Sequence, residues 1–162
     1  MVYTQYIDGG IIPLALALEE LGFTRGDTAG SLLKSKVKKI DATTFLTQTE
    51  HSKIEGAEPF SPAKYIMITG DKGLSPNNAD IIKKVNEESN KDGRKIKVVL
   101  ISQAGSEGLD YKCIRQVHVM DPWYNMSRIE QIIGRAVRTC SHKNLPFEKR
   151  NVEIYLYGSL LL

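Results

Sequence analysis

The run KVVLI at positions 97–101 constrains the fold of this chain more than any other feature. A run of β-branched and aliphatic side chains without alternation is typical of a strand covered on both faces, as in a parallel sheet. Further strands are predicted over 2–6, 65–68, 117–120 and 152–157, and helices over 11–21, 78–89 and 127–138. Strands that alternate with helices indicate an α/β domain with a mostly parallel sheet.

Composition narrows the class of protein without indicating a function. The chain has 162 residues, of which 41% are hydrophobic and 25% charged, and this suits one domain with its own core. No apolar run approaches the ~18 residues that cross a bilayer, so we expect no membrane partner. Two cysteines, Cys113 and Cys140, are too few for a disulfide framework and indicate an intracellular, reducing setting. The net charge of +3 permits contact with nucleic acid phosphates but does not require it.

A polar stretch from about residue 24 to residue 62 interrupts the alternation of strands and helices. It joins a helix to a strand, and such elements usually follow each other within a few residues. The sequence therefore predicts an insertion, which is either a functional arm or a surface elaboration without a separate role. Its lysines between positions 34 and 39 either touch DNA or form a solvated face.

The predicted helix over 127–138 carries two arginines. Its apolar positions share one face: Ile129, Ile132, Ile133 and Ala136. Its polar positions share the opposite face: Gln131, Gly134, Arg135 and Arg138. Two guanidinium groups one turn apart suit a phosphoryl group that gains charge in a transition state, and the alternative is a solvated basic face. Gly134 weakens the helix, so we expect another backbone or a ligand to approach it closely.

The loop over 102–110 follows the most apolar strand. In parallel α/β sheets, ligands bind in the loops at the carboxyl ends of strands. Gly105 and Gly108 let backbone amides approach a phosphate, Ser102 offers a hydroxyl, and Asp110 offers a carboxylate to a ribose hydroxyl or an arginine. Alone, this loop also fits an ordinary strand-to-helix connection.

Two further groups of side chains have competing interpretations. Trp123 and Tyr124 either pack against the arginine-bearing helix, which we favour, or stack on a base. The cysteines, with two nearby histidines, lack the spacing of a zinc site, and we predict no metal centre.

In combination, these segments resemble the superfamily 2 helicases and translocases. Residues 102–110 resemble helicase motif V and residues 131–138 resemble motif VI, while residues 120–125 are similar to the segment that joins those motifs in the Snf2-like branch. Residues 2–6 and 69–71 stand where motif IV and the next motif belong. The tail over 141–152 is similar to helicase-type ATPases of large DNA viruses, such as the poxvirus early transcription factor small subunit and nucleoside triphosphatase.

The resemblance implies a RecA-like, P-loop-NTPase-like lobe with helices on both faces of its sheet. ATP with Mg²⁺ would lie between this lobe and an N-terminal lobe, which would hold most of the cofactor. Arg135 and Arg138 would be the catalytic arginine fingers. The nucleotide-facing residues would be Asp110, Gln131, Gly134 and Gly108. The residues along the nucleic acid backbone would be Thr4, Gln5, Gly70, Ser102 and Gly105.

The chain has no G-x-x-x-x-G-K-[ST] loop and no acidic box, so we expect half of an active site, inactive without an N-terminal lobe of the same protein. The expected partners are nucleic acid, that lobe and viral transcription machinery, in a virion or the host cytoplasm. One alternative is a binding module without a catalytic role. Another is an interaction protein that acts through its insertion.

Overall fold

A computed structural model describes residues 1–27, 29–103 and 109–159, and within these ranges it contains a six-stranded, wholly parallel sheet. The strands are β1 (Val2–Tyr3), β2 (Thr24–Arg25), β3 (Lys64–Ile68), β4 (Val98–Ile101), β5 (Gln116–Val119) and β6 (Glu153–Leu156). Their order across the sheet is β2-β3-β4-β1-β5-β6. The predicted α/β class with a parallel sheet is confirmed.

The first strand lies in the middle of the sheet, although it is short. Val2 is in register with Leu100 of β4 on one side and with His118 of β5 on the other. The strand predicted over 2–6 ends at Tyr3, but the amide of Thr4 still donates to the carbonyl of Ile101. This arrangement aligns the carboxyl ends of β1, β3 and β4 along one edge.

Helices cover both faces of the sheet, as a RecA-like lobe requires. The helices are α1 (Ile12–Glu20), α2 (Gln48–His51), α3 (Asn78–Val85) and α4 (Met126–Gly134). Buried apolar residues of α1, led by Ala15, pack on one face with Tyr65 and Met67. Residues of α3 and α4, including Ile81 and Ile132, pack on the other face. The apolar runs of the central strands are therefore buried from two sides, as the absence of alternation predicts.

The helix that carries the arginines is shorter than its sequence pattern predicts. The side chain of Asn125 caps α4 by accepting from the amide of Ser127, and the helix ends at Gly134. The amide of Arg135 then bonds to the carbonyl three residues before it, which tightens the last turn. The prediction that the helix continues to Arg138 is wrong. Nothing lies within 4 Å of a Cβ added at Gly134, so the close approach expected there is absent within the described residues.

The predicted insertion begins inside the sheet. Thr24 and Arg25 form β2, which pairs with β3 at Lys64 and Tyr65, so the boundary predicted at residue 24 falls within an edge strand. The segment after it is anchored by the buried Glu19, which accepts from the amides at positions 32 and 33 and from the hydroxyl of Tyr65. This segment is therefore packed on the domain through specific hydrogen bonds.

A second buried carboxylate organises the rest of the insertion. Asp41 is 1% exposed and accepts from the amides of Thr43, Thr44 and Ser61 at 2.8–3.0 Å. Burial raises the pKa of Asp41, but these hydrogen bonds outweigh it and hold the pKa at about 2. The carboxylate thus ties the middle of the insertion to its end. No helix within the described residues is long and apolar enough to cross a membrane.

Candidate nucleotide and nucleic acid interface

The two arginines lie against the end of the predicted motif V segment. The amide of Tyr111 donates to the carbonyl of Arg135 at 3.1 Å, which fixes the turn after α4 on the irregular segment that leads to β5. Arg135 Nη1 reaches the carbonyl of Leu109 at 3.4 Å. Arg138 Nη1 is 2.6 Å from Asp110 Oδ2. Arg135 and Arg138 therefore contact the last two residues of the 102–110 segment, and Arg138 lies beyond the helix.

The arginine pair is accessible to a ligand. The side chains of Arg138 and Asp110 are 55% and 52% exposed, and Arg135 is half-buried. Gln131 is exposed on α4 one turn before Arg135. Gly108, which was expected to face the nucleotide, lies outside the described residues. The accessible guanidinium groups can meet an anion that approaches this surface.

Asn86, at the end of α3, holds the motif V segment from the other side. Its Nδ2 donates to the carbonyl of Asp110 at 2.8 Å, and its Oδ1 accepts from the amide of Lys112 at 2.8 Å. Both bonds fix the backbone on either side of Tyr111. Asn86 therefore fixes the backbone position from which the side chain of Asp110 extends. Sequence reasoning missed this residue, because the helix predicted over 78–89 places Asn86 inside its last turn, whereas the observed helix ends at Val85.

The residues predicted along the nucleic acid backbone meet at the carboxyl edge of the sheet. Thr4 and Ser102 are each 2% exposed. The Thr4 hydroxyl accepts from the amide of Tyr6 and packs beneath Gly10. These two side chains support the edge from inside, whereas Gly70 is exposed and can meet a phosphate directly.

Gln5 belongs to the same edge and is half-buried. Its backbone amide donates to both carboxylate oxygens of Asp121, at 2.9 and 3.2 Å. This contact joins the end of β1 to the end of β5. Gly105 was also predicted there and lies outside the described residues.

A hydroxyl network missed by sequence reasoning shapes the turn that presents Gly70. The amide of Thr69 donates to Ser75 Oγ at 2.9 Å, and the two hydroxyl oxygens are 2.8 Å apart. Asn78, the first residue of α3, donates to the carbonyl of Thr69 at 2.9 Å. The turn is thereby fastened to the start of α3. The sequence signal available was the cluster of small polar residues around TGD.

An exposed pair of aromatic rings lies between β5 and α4. The rings of Trp123 and Tyr124 are 5.0 Å apart, and the guanidinium of Arg128 on α4 lies 5.4 Å from the Trp123 ring. Tyr124 is 88% exposed. The predicted packing against α4 thus applies to Trp123, whereas Tyr124 projects into solvent.

The cysteine and histidine side chains do not assemble into a cluster. His118 Nδ1 is 2.8 Å from the hydroxyl of Tyr157, and His142 Nε2 is 2.6 Å from the carbonyl of Ile114. No group of three His, Cys, Asp or Glu side chains suited to a metal ion occurs in the described ranges.

Comparison with known families identifies the class of protein. Residues 28–140, more than half of the chain, match the helicase conserved C-terminal domain, and the chain belongs to this family. The match includes the insertion from residue 28 onwards and the segments that contain Asp110 and Arg135.

Individual relatives are viral proteins. The chain is 30% identical over 167 residues to a termination factor NPH-I homolog of African swine fever virus, which covers 97% of this chain and 23% of that protein. It is 40% identical over 97 residues to a putative ATP-dependent RNA helicase of Acanthamoeba polyphaga mimivirus, covering 59% of this chain and 17% of that protein. It is 42% identical over 74 residues to nucleoside triphosphatase I of Heliothis armigera entomopoxvirus, covering 46% and 12% respectively. The chain thus spans less than a quarter of the length of each relative.

Proposed function

We propose that this chain is the second RecA-like lobe of a nucleic-acid-dependent ATPase, a helicase or translocase, and that it hydrolyses ATP only together with an N-terminal lobe. In this proposal ATP and Mg²⁺ lie between the lobes, and the N-terminal lobe supplies the phosphate loop and the metal ligands. Arg135 and Arg138 reach the nucleotide from this side. Asp110, Gln131 and Gly134 belong to the same surface, and the proposal assigns Gly108 to the nucleotide as well.

The observation that carries the proposal is the accessible ion pair between Arg138 and Asp110 beside Arg135. A pair exposed to this degree contributes up to about 1 kcal/mol, so an approaching phosphate can displace the carboxylate at low cost. A planar guanidinium offers parallel N–H donors that suit the oxygens of a phosphoryl group. Such arginines accelerate phosphoryl transfer by about 10³–10⁵ in other enzymes.

Nucleic acid would follow the carboxyl edge of the sheet. Gly70 exposes its backbone there, Gln5 follows β1 at the same edge, and the buried Thr4 and Ser102 hold the edge in shape. Gly105 completes this set in the proposal. Backbone contacts of this kind do not read sequence, so the proposal covers DNA and RNA alike.

The test measures ATP turnover in the longer protein that carries both lobes, with saturating nucleic acid. We expect Arg135→Ala and Arg138→Ala each to lower kcat by about 10³-fold or more. The matched control is Lys95→Ala, because Lys95 forms a similarly exposed ion pair with Glu87 at 2.9 Å, away from the arginines. Wild-type turnover in either arginine variant would refute the assignment.

A binding module is the second candidate, and the exposure of Tyr124 beside Trp123 favours it. In that case the arginines contact strand phosphates rather than a nucleotide. The same variants separate the two candidates: weakened nucleic acid binding with intact turnover supports the binding module. A role in viral transcription, within a virion or the host cytoplasm, is part of the proposal because a similar viral protein is named a termination factor.

A further inference from the structure

Tyr111 is a buried residue that none of the roles above uses. It is 1% exposed and belongs to the core cluster on the face covered by α3 and α4, where Ile132 and Ala136 also lie. Its amide is bonded to the carbonyl of Arg135, so the backbones of the two residues are tied together. A phenylalanine would fill the same space in this core.

The hydroxyl of Tyr111 lacks a hydrogen-bond partner among the described residues. A buried hydroxyl without a partner destabilises the folded state, and buried polar groups in proteins are nearly always paired. Burial also raises the pKa of Tyr111, so the phenol stays protonated, and the positive charge of Arg135 opposes that rise. The hydroxyl is therefore a neutral group whose bonding capacity is unused among the described residues.

Arg135 is incompletely bonded in the same conformation. A guanidinium has five N–H donors, and the bond from this one to the carbonyl of Leu109 is long, at 3.4 Å. Arg138, by contrast, has a short ion pair with Asp110. The direction of the Arg135 side chain is therefore less firmly fixed than that of Arg138 in this conformation.

We infer that the Tyr111 hydroxyl is a positioning group that accepts a hydrogen bond from the Arg135 guanidinium when a nucleotide occupies the site. This inference rests on the proposed function, because it assigns Tyr111 a part in aiming a residue that contacts the nucleotide. The bond satisfies both groups at once and limits the rotation of the guanidinium. Tyr111 touches Arg135 and not the substrate, so it acts only through that residue.

The experiment replaces Tyr111 with phenylalanine in the longer two-lobe protein. Because Arg135 acts on charge that develops in the transition state, and Y111F leaves its guanidinium less well oriented, we expect Y111F to lower kcat about 10-fold. The KM for ATP should stay within about twofold, because the remaining contacts with ground-state nucleotide are unchanged. The melting temperature without nucleotide should stay the same or rise, since the variant removes a buried unpaired hydroxyl.

Tyr65→Phe is the matched control. Tyr65 is equally buried, but on the other face of the sheet, and its hydroxyl donates to Glu19 at 2.6 Å. We expect Y65F to lower the melting temperature and to leave kcat unchanged, the reverse of Y111F. A merely structural role for Tyr111 predicts no loss of kcat in a variant that is equally stable.

A double-mutant cycle with Arg135→Lys shows whether Tyr111 acts through Arg135. Y111F should have less than about a twofold further effect in the R135K background, and its full effect in R138K. Equal losses in wild type and R135K would overturn the inference, as would wild-type kcat in Y111F when R135K is impaired. If R135K and Arg135→Ala both retain full turnover, the proposed function itself fails. The two failures are therefore distinguishable.

Discussion

Replacing Asp41 with asparagine should destabilise the chain in a pH-dependent way. The three backbone amides that donate to Asp41 are divided between its two oxygens, two on Oδ1 and one on Oδ2. Asparagine keeps one acceptor oxygen and turns an NH₂ group towards at least one of those amides. The substitution therefore removes the charge and opposes a donor to a donor in a buried site.

The magnitude follows from the pKa. The pKa of Asp41 falls from 3.8 to about 2 in the folded chain. At about 1.4 kcal/mol per unit, this corresponds to a stabilisation on the order of 2 kcal/mol by the ionised form. A group with a depressed pKa in the folded state stabilises it above the unfolded pKa of about 3.9, and this contribution is lost as the pH falls towards about 2.

Urea unfolding of wild type and D41N at a series of pH values tests this reasoning. We expect a difference of about 2 kcal/mol or more near pH 7, shrinking below about pH 4 until only the pH-independent cost of the opposed donors is left near pH 2. Asp80→Asn is the control, because Asp80 is an exposed residue of α3 that pairs with Lys83 at 3.7 Å, and it should change stability by less than about 0.5 kcal/mol. A D41N difference that is the same at about pH 7 and about pH 3 would refute the assignment of the effect to the ionised carboxylate.

Three further outcomes are expected. Gly22→Ala should lower the urea midpoint by the equivalent of about 1–3 kcal/mol, because Gly22 has a φ of 95° and a Cβ there would lie 2.5 Å from a backbone carbonyl; an unchanged midpoint would contradict the strain. Cys140 should be alkylated before Cys113, because Cys140 is exposed whereas burial raises the pKa of the Cys113 thiol, and mass spectrometry of partially alkylated protein reveals the order. Tyr124→Ala should weaken single-stranded nucleic acid binding about 5-fold or more in an anisotropy titration, whereas Phe147→Ala, the loss of an equally exposed ring elsewhere, should not; equal effects would remove the stacking role.

The fold was predictable from sequence because its signal is periodicity. Runs such as residues 97–101 lack alternation because their strand is covered on both faces of the sheet. Strands of this kind are typical of parallel α/β sheets. Helix ends were less predictable. Periodicity continues through Arg138, but the backbone leaves the helix at Gly134, where the amide of Tyr111 takes the carbonyl of Arg135. A tertiary hydrogen bond of that kind leaves no trace in local spacing.

The charged residues of the candidate site could be predicted from the sequence, but the residues that hold them in place could not. Arg138 and Asp110 are charged residues within recognisable motifs, and in the structure they form an ion pair. Asn86 supports them through backbone bonds across 24 residues of sequence, so its role depends on the fold being known. The burial of Thr4 has the same origin, because Gly10 closes over it only once the chain has turned back.

The central position of β1 affects how this lobe is synthesised. Val2 is synthesised well before its two neighbours in the sheet, Leu100 and His118. Roughly 100 further residues must be polymerised before either neighbour exists, a delay of about 5–20 s at ordinary translation rates. During that interval the nascent chain lacks β4 and β5, the two strands that flank β1 in the finished sheet. A message truncated before β4 therefore yields a polypeptide that cannot complete its sheet. Such a product is a substrate for chaperones and proteases.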